Sequence, residues 1–127
     1  MTAKEPFEVN ADLDQRCLYI TMRGIWTAAI FEDFTKALMT AEVDMQRLEG
    51  TSYTLVDGTE FPLQDMAIVE RFVPLTIALA IPETRRTALV VPQPLERTQT
   101  RAAAEIVNAR HFRTIESARD WLFSDEA

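Results

Sequence analysis

RGIWTAAIFEDF, residues Arg23–Phe34, holds the decision about the fold. A run of alternating residues reaches Gly24, passes a lone tryptophan and becomes helical within a few positions. Upstream, CLYITMR places Leu18, Ile20 and Met22 on one face of a strand. Gly24 permits a sharp exit from that strand. Thr27 can cap the helix that follows, because its hydroxyl can accept a backbone N–H of the first turn. Trp26 stands one residue before the cap, where an apolar side chain can staple the chain to Ile30 or Phe31. The same tryptophan is also a candidate anchor for a partner, since half-exposed tryptophan is favoured at interfaces.

Outward from this junction, strands and helices alternate. Phe7 and Val9 alternate with polar residues before a turn at Ala11–Gln15, giving an opening hairpin. Ile30, Phe31, Phe34, Leu38, Ala41, Met45 and Leu48 draw one apolar stripe along a long helix. Glu32, Asp33, Lys36 and Glu42 fall off that stripe. Gly50 is the expected stop. SYTLVD is a short buried strand that Asp57-Gly58-Thr59 leaves. Pro62 opens a second helix with Met66, Ile68, Val69, Phe72 and Val73 on its core side, and Pro74 ends or kinks it. TALVV is a strand, Leu95–Ala109 a third helix, HFRT a last strand, and Thr114 caps a last helix carrying Ile115, Ala118, Trp121 and Leu122. The order is β-β-α-β-α-β-α-β-α, the pattern of parallel crossovers behind an antiparallel first strand. The expected product is a single α/β domain over residues 1–127, with a mixed, mostly parallel sheet covered by helices.

Composition narrows the function classes. The formal net charge is −7. Residues 1–83 carry six basic and fourteen acidic side chains, against seven and six in residues 84–127. An acidic body opposes nucleic acid, which needs a basic footprint, and anionic lipid surfaces. The arginines of the second half, from Arg85 and Arg86 to Arg119, are spread out and read as solvated. Cys17 is the sole cysteine, so no internal disulfide forms. The first fourteen residues contain no apolar signal region, and the apolar run Phe72–Ile81 is too short to span a bilayer and is broken by Pro74. The expected compartment is the cytoplasm, with no membrane span.

GIWT before a long amphipathic helix resembles the SpoIIAA-like family, of the STAS/SEC14-like kind. YTLVDGTEF, a buried strand ending in an aspartate, extends the resemblance, as do TALVV and FRTIESARDWL. The resemblance implies a STAS-like fold and a non-enzymatic interaction module, switched by phosphorylation in the anti-sigma factor antagonists. Those antagonists carry an Asp-Ser-Ser-Gly-like stretch at the start of the second helix. Here that stretch falls on Asp65-Met66-Ala67-Ile68. The aspartate matches, the serines do not, and methionine accepts no phosphate. Thr59 is the nearest hydroxyl in the same loop, but the motif does not transfer to it.

The remaining candidates are surfaces rather than chemistry. Asp57, Gly58 and Thr59 lie where ligands favour open α/β sheets, at the carboxyl end of a strand. No Lys or Arg occurs from Leu48 to Glu70, which disfavours an anion there. Asp57, Glu60 and Asp65, irregularly spaced, are a poor metal site. Phe72, Leu75 and Leu79 could line an apolar groove beside Pro74. His111 and Cys17 could in principle form a dyad, but no nucleophile motif accompanies them. No catalytic residue, metal or cofactor is therefore expected. The leading expectation is a non-enzymatic STAS-like regulatory or protein-interaction domain without the usual phosphoacceptor serine, its partner another protein or a second copy in a homodimer. The alternative is a SEC14-like domain that binds an apolar small molecule or lipid.

Overall fold

The structure, a computed structural model, describes residues 5–62, 64–79, 84–90 and 109–124. The expected helix at Leu95–Ala109 lies almost wholly outside them. Five strands form one sheet in the order β1-β2-β3-β4-β5: Phe7–Asp12, Cys17–Arg23, Ser52–Glu60, Arg85–Val90 and Ala109–Phe112. β1 runs antiparallel to β2, and each further pairing is parallel. The three helices among the described residues are α1 (Ala28–Met45), α2 (Met66–Leu79) and α3 (Ile115–Leu122). The mixed α/β architecture read from the alternation is the one observed.

Strand alternation sends side chains to two faces, and each face has its own core. On one, Leu18, Ile20 and Met22 of β2 and Val56 of β3 meet Phe31, Phe34, Leu38, Ala41 and Met45 of α1 and Ile68 and Leu75 of α2. On the other, Cys17, Leu55, Ala88 and Val90 are covered by Ala118 and Leu122 of α3. Thr114 caps α3 as expected, its hydroxyl accepting from the Ser117 amide at 3.1 Å.

The Gly24–Thr27 junction behaves as its residues require. Gly24 takes φ +70°, open to glycine and strained for other residues. The Thr27 hydroxyl accepts from the Ile30 amide at 3.3 Å, and its carbonyl accepts from Phe31. Trp26 is 3 % exposed and packs within about one ring of Phe7, Phe31, Phe34, Phe61 and Phe72, with centroids 4.9–6.2 Å away. The staple reading holds, and the reading of Trp26 as a half-exposed partner anchor is corrected. Five aromatic neighbours remove its surface from water. Its indole N–H donates to the Arg23 carbonyl at 3.0 Å and the Pro6 carbonyl at 3.3 Å.

Other expectations also change. α1 stops at Met45 rather than Gly50, because Arg47 and Leu48 turn back onto the carbonyls of Asp44 and Met45. Leu48 reaches the core from that turn, which is why its spacing imitated helix. Glu32 and Asp33 lie past the first turn of α1, which holds no acid. α2 opens at Met66 on the Asp65 carbonyl, four residues beyond Pro62. Met66 is 60 % exposed, not core. The helix runs on through Pro74 to Leu79.

Glu42 is the sharpest departure. It is 3 % exposed and pairs with Arg85, which is 1 % exposed. Arg85 also donates from Nε to the Ser52 hydroxyl at 3.2 Å. Glu42 is four residues after Leu38 and three before Met45, so it belongs to the wide buried face of α1. Arg85 begins the alternation that continues in Thr87 and Leu89. The ion pair thus ties α1 to β3 and β4, and Arg85 is not a solvated arginine.

Candidate functional site

The carboxyl ends of β2 and β3 meet the start of α2, and this corner gathers most of the sequence candidates. β2 and β3 keep register from Cys17–Tyr53 to Thr21–Asp57, then shift, so that Arg23 faces Glu60. β3 gains one residue there, a bulge that re-aims side chains. Asp57-Gly58-Thr59 is therefore bulged strand and not a loop leaving it. The Asp57 carboxylate accepts from the Thr59 amide at 3.1 Å and the Thr59 hydroxyl at 2.8 Å. Both groups are occupied by closing the bulge, and Gly58 is buried between them.

One amide clamps the corner. Gln64, 6 % exposed, accepts from the Trp26 backbone N–H at 2.8 Å and donates from Nε2 to the carbonyls of Gly24 and Pro62, each at 2.9 Å. It satisfies backbone groups that turns leave without ladder partners. Arg23 adds a second tie, bonding Glu8 at 2.9 Å and Glu60 at 3.2 Å. Its hydrogen bond to Glu8 is the main cause holding the guanidinium pKa above its ordinary value. Sequence reading singled out neither Gln64 nor this triad. Apart from Pro62, their partners are fifteen to forty positions away, so no local spacing signals them.

Two apolar side chains flank the clamp in the open. Ile25 is 64 % exposed and Met66 60 %. Ile25 stands between the two residues whose backbone Gln64 ties, and Met66 two residues beyond Gln64, so the corner carries exposed apolar side chains beside its clamp.

The apolar-groove candidates behave differently. Phe72 stacks on Trp26 and meets Phe31 edge-on at 5.0 Å, and Leu75 is 9 % exposed in the same core. Both close on the interior instead of lining a groove. The side chain of Leu79 lies outside the described part. Cys17 is fully buried, and burial is the main cause pushing its thiol up to about 11. His111 lies in β5 opposite Leu89. It shares the Leu89 face, whereas Cys17 points to the other face three strands away, so the two make no dyad. Among the described residues no group of three or more His, Cys, Asp or Glu could hold a metal ion, and no helix is long and apolar enough to cross a membrane.

Neither a protein-family model nor a curated protein matches the chain. Among solved structures, it is similar to an uncharacterised protein of the DUF3478 family with a SpoIIAA-like fold from Shewanella loihica PV-4. The identity is 20 %, the TM-score 0.69, and the match covers 96 % of this chain and 98 % of that one. At this identity the likeness speaks for the fold, and the fold of this chain is SpoIIAA-like.

Proposed function

We propose that this protein is a non-enzymatic, STAS-like interaction domain that binds a protein partner through the corner at the ends of β2 and β3. The observation that carries the reading is the exposed pair Ile25 and Met66 on either side of the Gln64 clamp. Exposed apolar side chains held on rigid backbone are what partner surfaces use as anchors. A methionine adapts to irregular partner surfaces. With methionine at the usual phosphoacceptor position, recognition does not pass through a phosphoserine there. The lipid-binding alternative loses its support, because Phe72 and Leu75 are spent in the core.

The test is native mass spectrometry on the protein isolated from its host, as wild type and as the Ile25→Glu/Met66→Glu double variant. A stoichiometric bound polypeptide is expected. The variant should weaken it by about thirtyfold, the scale of a lost interface hot spot. A bound small molecule, or a polypeptide held equally by the variant, would overturn the reading.

A further inference from the structure

The outer edge of the sheet is built differently from that corner. β1 ends the strand order, so one side of its backbone has no strand neighbour among the described residues. Such an edge carries a row of N–H and C=O groups ready to pair with another extended chain. Beside it runs an open groove between β1 and α1. Its floor is Val9 and Ala11 from the strand and Ala37 and Ala41 from the helix, with Lys36 and Asp44 on its rim. Three alanines in the floor leave space for bulkier apolar side chains from elsewhere. A strand edge next to a helix, with a pocketed cleft between them, is the layout in which an added peptide strand gains backbone bonds from the edge and side-chain specificity from the cleft.

The charges select what can be added. β1 reads FEVNAD. Phe7, Val9 and Ala11 face α1 and its core, and alternation puts Glu8, Asn10 and Asp12 on the other face. Two cations stand on that face, Arg23, shared between Glu8 and Glu60, and Arg119, over the Tyr19 ring, against the carboxylates of Glu8, Asp12 and Glu60. An incoming strand would therefore meet apolar groove on one side and net negative charge on the other. A second copy pairing β1 with β1 in the antiparallel register centred on Asn10 would set Glu8 against Asp12, which is unfavourable for cross-strand neighbours, and the register centred on Val9 sets Glu8 against Asn10, with no charge attraction to favour it.

We infer that the free edge of β1 and the β1–α1 groove bind an extended peptide segment of a partner, about six residues long, that alternates apolar with basic side chains. This rests on the reading of the protein as an interaction domain and adds to it a second surface and the chemistry of its ligand.

The experiment is an amide NMR titration of the full chain with two end-blocked seven-residue peptides. One alternates lysine with valine, the other glutamate with valine. The lysine peptide should shift amides of β1 and of residues 36–44, and slow hydrogen exchange along β1. The glutamate peptide should bind at least about tenfold more weakly, by charge opposition. Ala37→Arg, which fills the groove, and Thr40→Arg, on its exposed rim, should each weaken the lysine peptide by about tenfold through clash and repulsion. Shifts that map elsewhere, equal binding of both peptides, or no binding overturn the inference. So does protection of β1 that grows with protein concentration alone, which would make the occupant a second copy. A host polypeptide that depends on Ile25 and Met66 while β1 stays silent would sink this inference and leave the proposed function standing. Loss of that polypeptide dependence would do the reverse.

Discussion

A single thiol shows how burial becomes pH dependence. Cys17 sits under α3 between Leu55 and Ala118, in a core cluster with no water access. Desolvation disfavours the thiolate, and this outweighs the hydrogen bond from Tyr19 and the attraction of Arg119, so the thiol is held up to about 11. In the unfolded chain it titrates near 8.5. Below that pH both states keep the proton and the contribution to stability is fully present. Between roughly 8.5 and 11 the unfolded state releases its proton first, so it binds fewer protons than the folded state and stability falls as pH rises. The loss is about 3 kcal/mol on the scale set by such a shift. Burial raises the Tyr19 hydroxyl as well and adds to the same alkaline slope. Urea unfolding at several pH values from 7 to 11 should show wild type losing stability more steeply than Cys17→Ala. Parallel slopes would mean that the thiol is not held protonated by the fold.

Among elements, α1 shows what local sequence can and cannot encode. Its start is written in neighbouring residues: Gly24 for the turn, Trp26 for the staple, Thr27 for the cap. Each acts within a few positions, so each was legible. Its end was not, because Leu48 keeps the apolar spacing while reaching the core from a turn. The corner was half legible for the same reason. Asp57 and Thr59 were found by their place at the end of a strand, but Gln64 acts on backbone thirty-eight and forty positions away. Glu42 had a signal that hydrophobicity hides: its spacing from Leu38 and Met45 is that of a buried position, and only its charge argued otherwise. The partner, Arg85, lies forty-three residues on. Breaking such a buried pair from one side leaves an uncompensated charge. Glu42→Ala should therefore cost about 3–5 kcal/mol in chemical denaturation. Glu42→Met with Arg85→Met should recover most of that loss, because an apolar replacement of both partners removes the desolvation penalty as well as the attraction. A double variant as unstable as the single one would show that the pair orders α1 against β3 and β4 in a way apolar packing cannot replace.

At the scale of the molecule, the strand order sets where the structure opens. β2, β3 and β4 have a hydrogen-bonded neighbour on both sides, and β2 and β3 contribute to both cores, with Leu18 and Val56 facing one and Cys17 and Leu55 the other. Opening any of the three breaks two ladders and exposes at least one core. Among the described residues β1 has one strand neighbour, and its apolar residues, Phe7, Val9 and Ala11, are only half-buried. Detaching it from β2 gives up the Phe7 contacts with Trp26 and Phe34 but leaves the packing of α1 on β2 and β3. Regions with fewer buried contacts open by local fluctuation at lower free energy than the global transition. In native-state hydrogen exchange, the amides of β3 should therefore exchange only through global unfolding, with a steep dependence on urea. Those of β1 should exchange at least about tenfold faster, with little dependence on urea at low concentration. The comparison also bears on the peptide edge. An edge that opens locally while unoccupied is one whose exchange a bound strand can slow, and that slowing is the signal the titration reads. Equal protection of β1 and β3 in the isolated chain at low concentration would mean that the edge is already covered from within the molecule, leaving no place for an added strand.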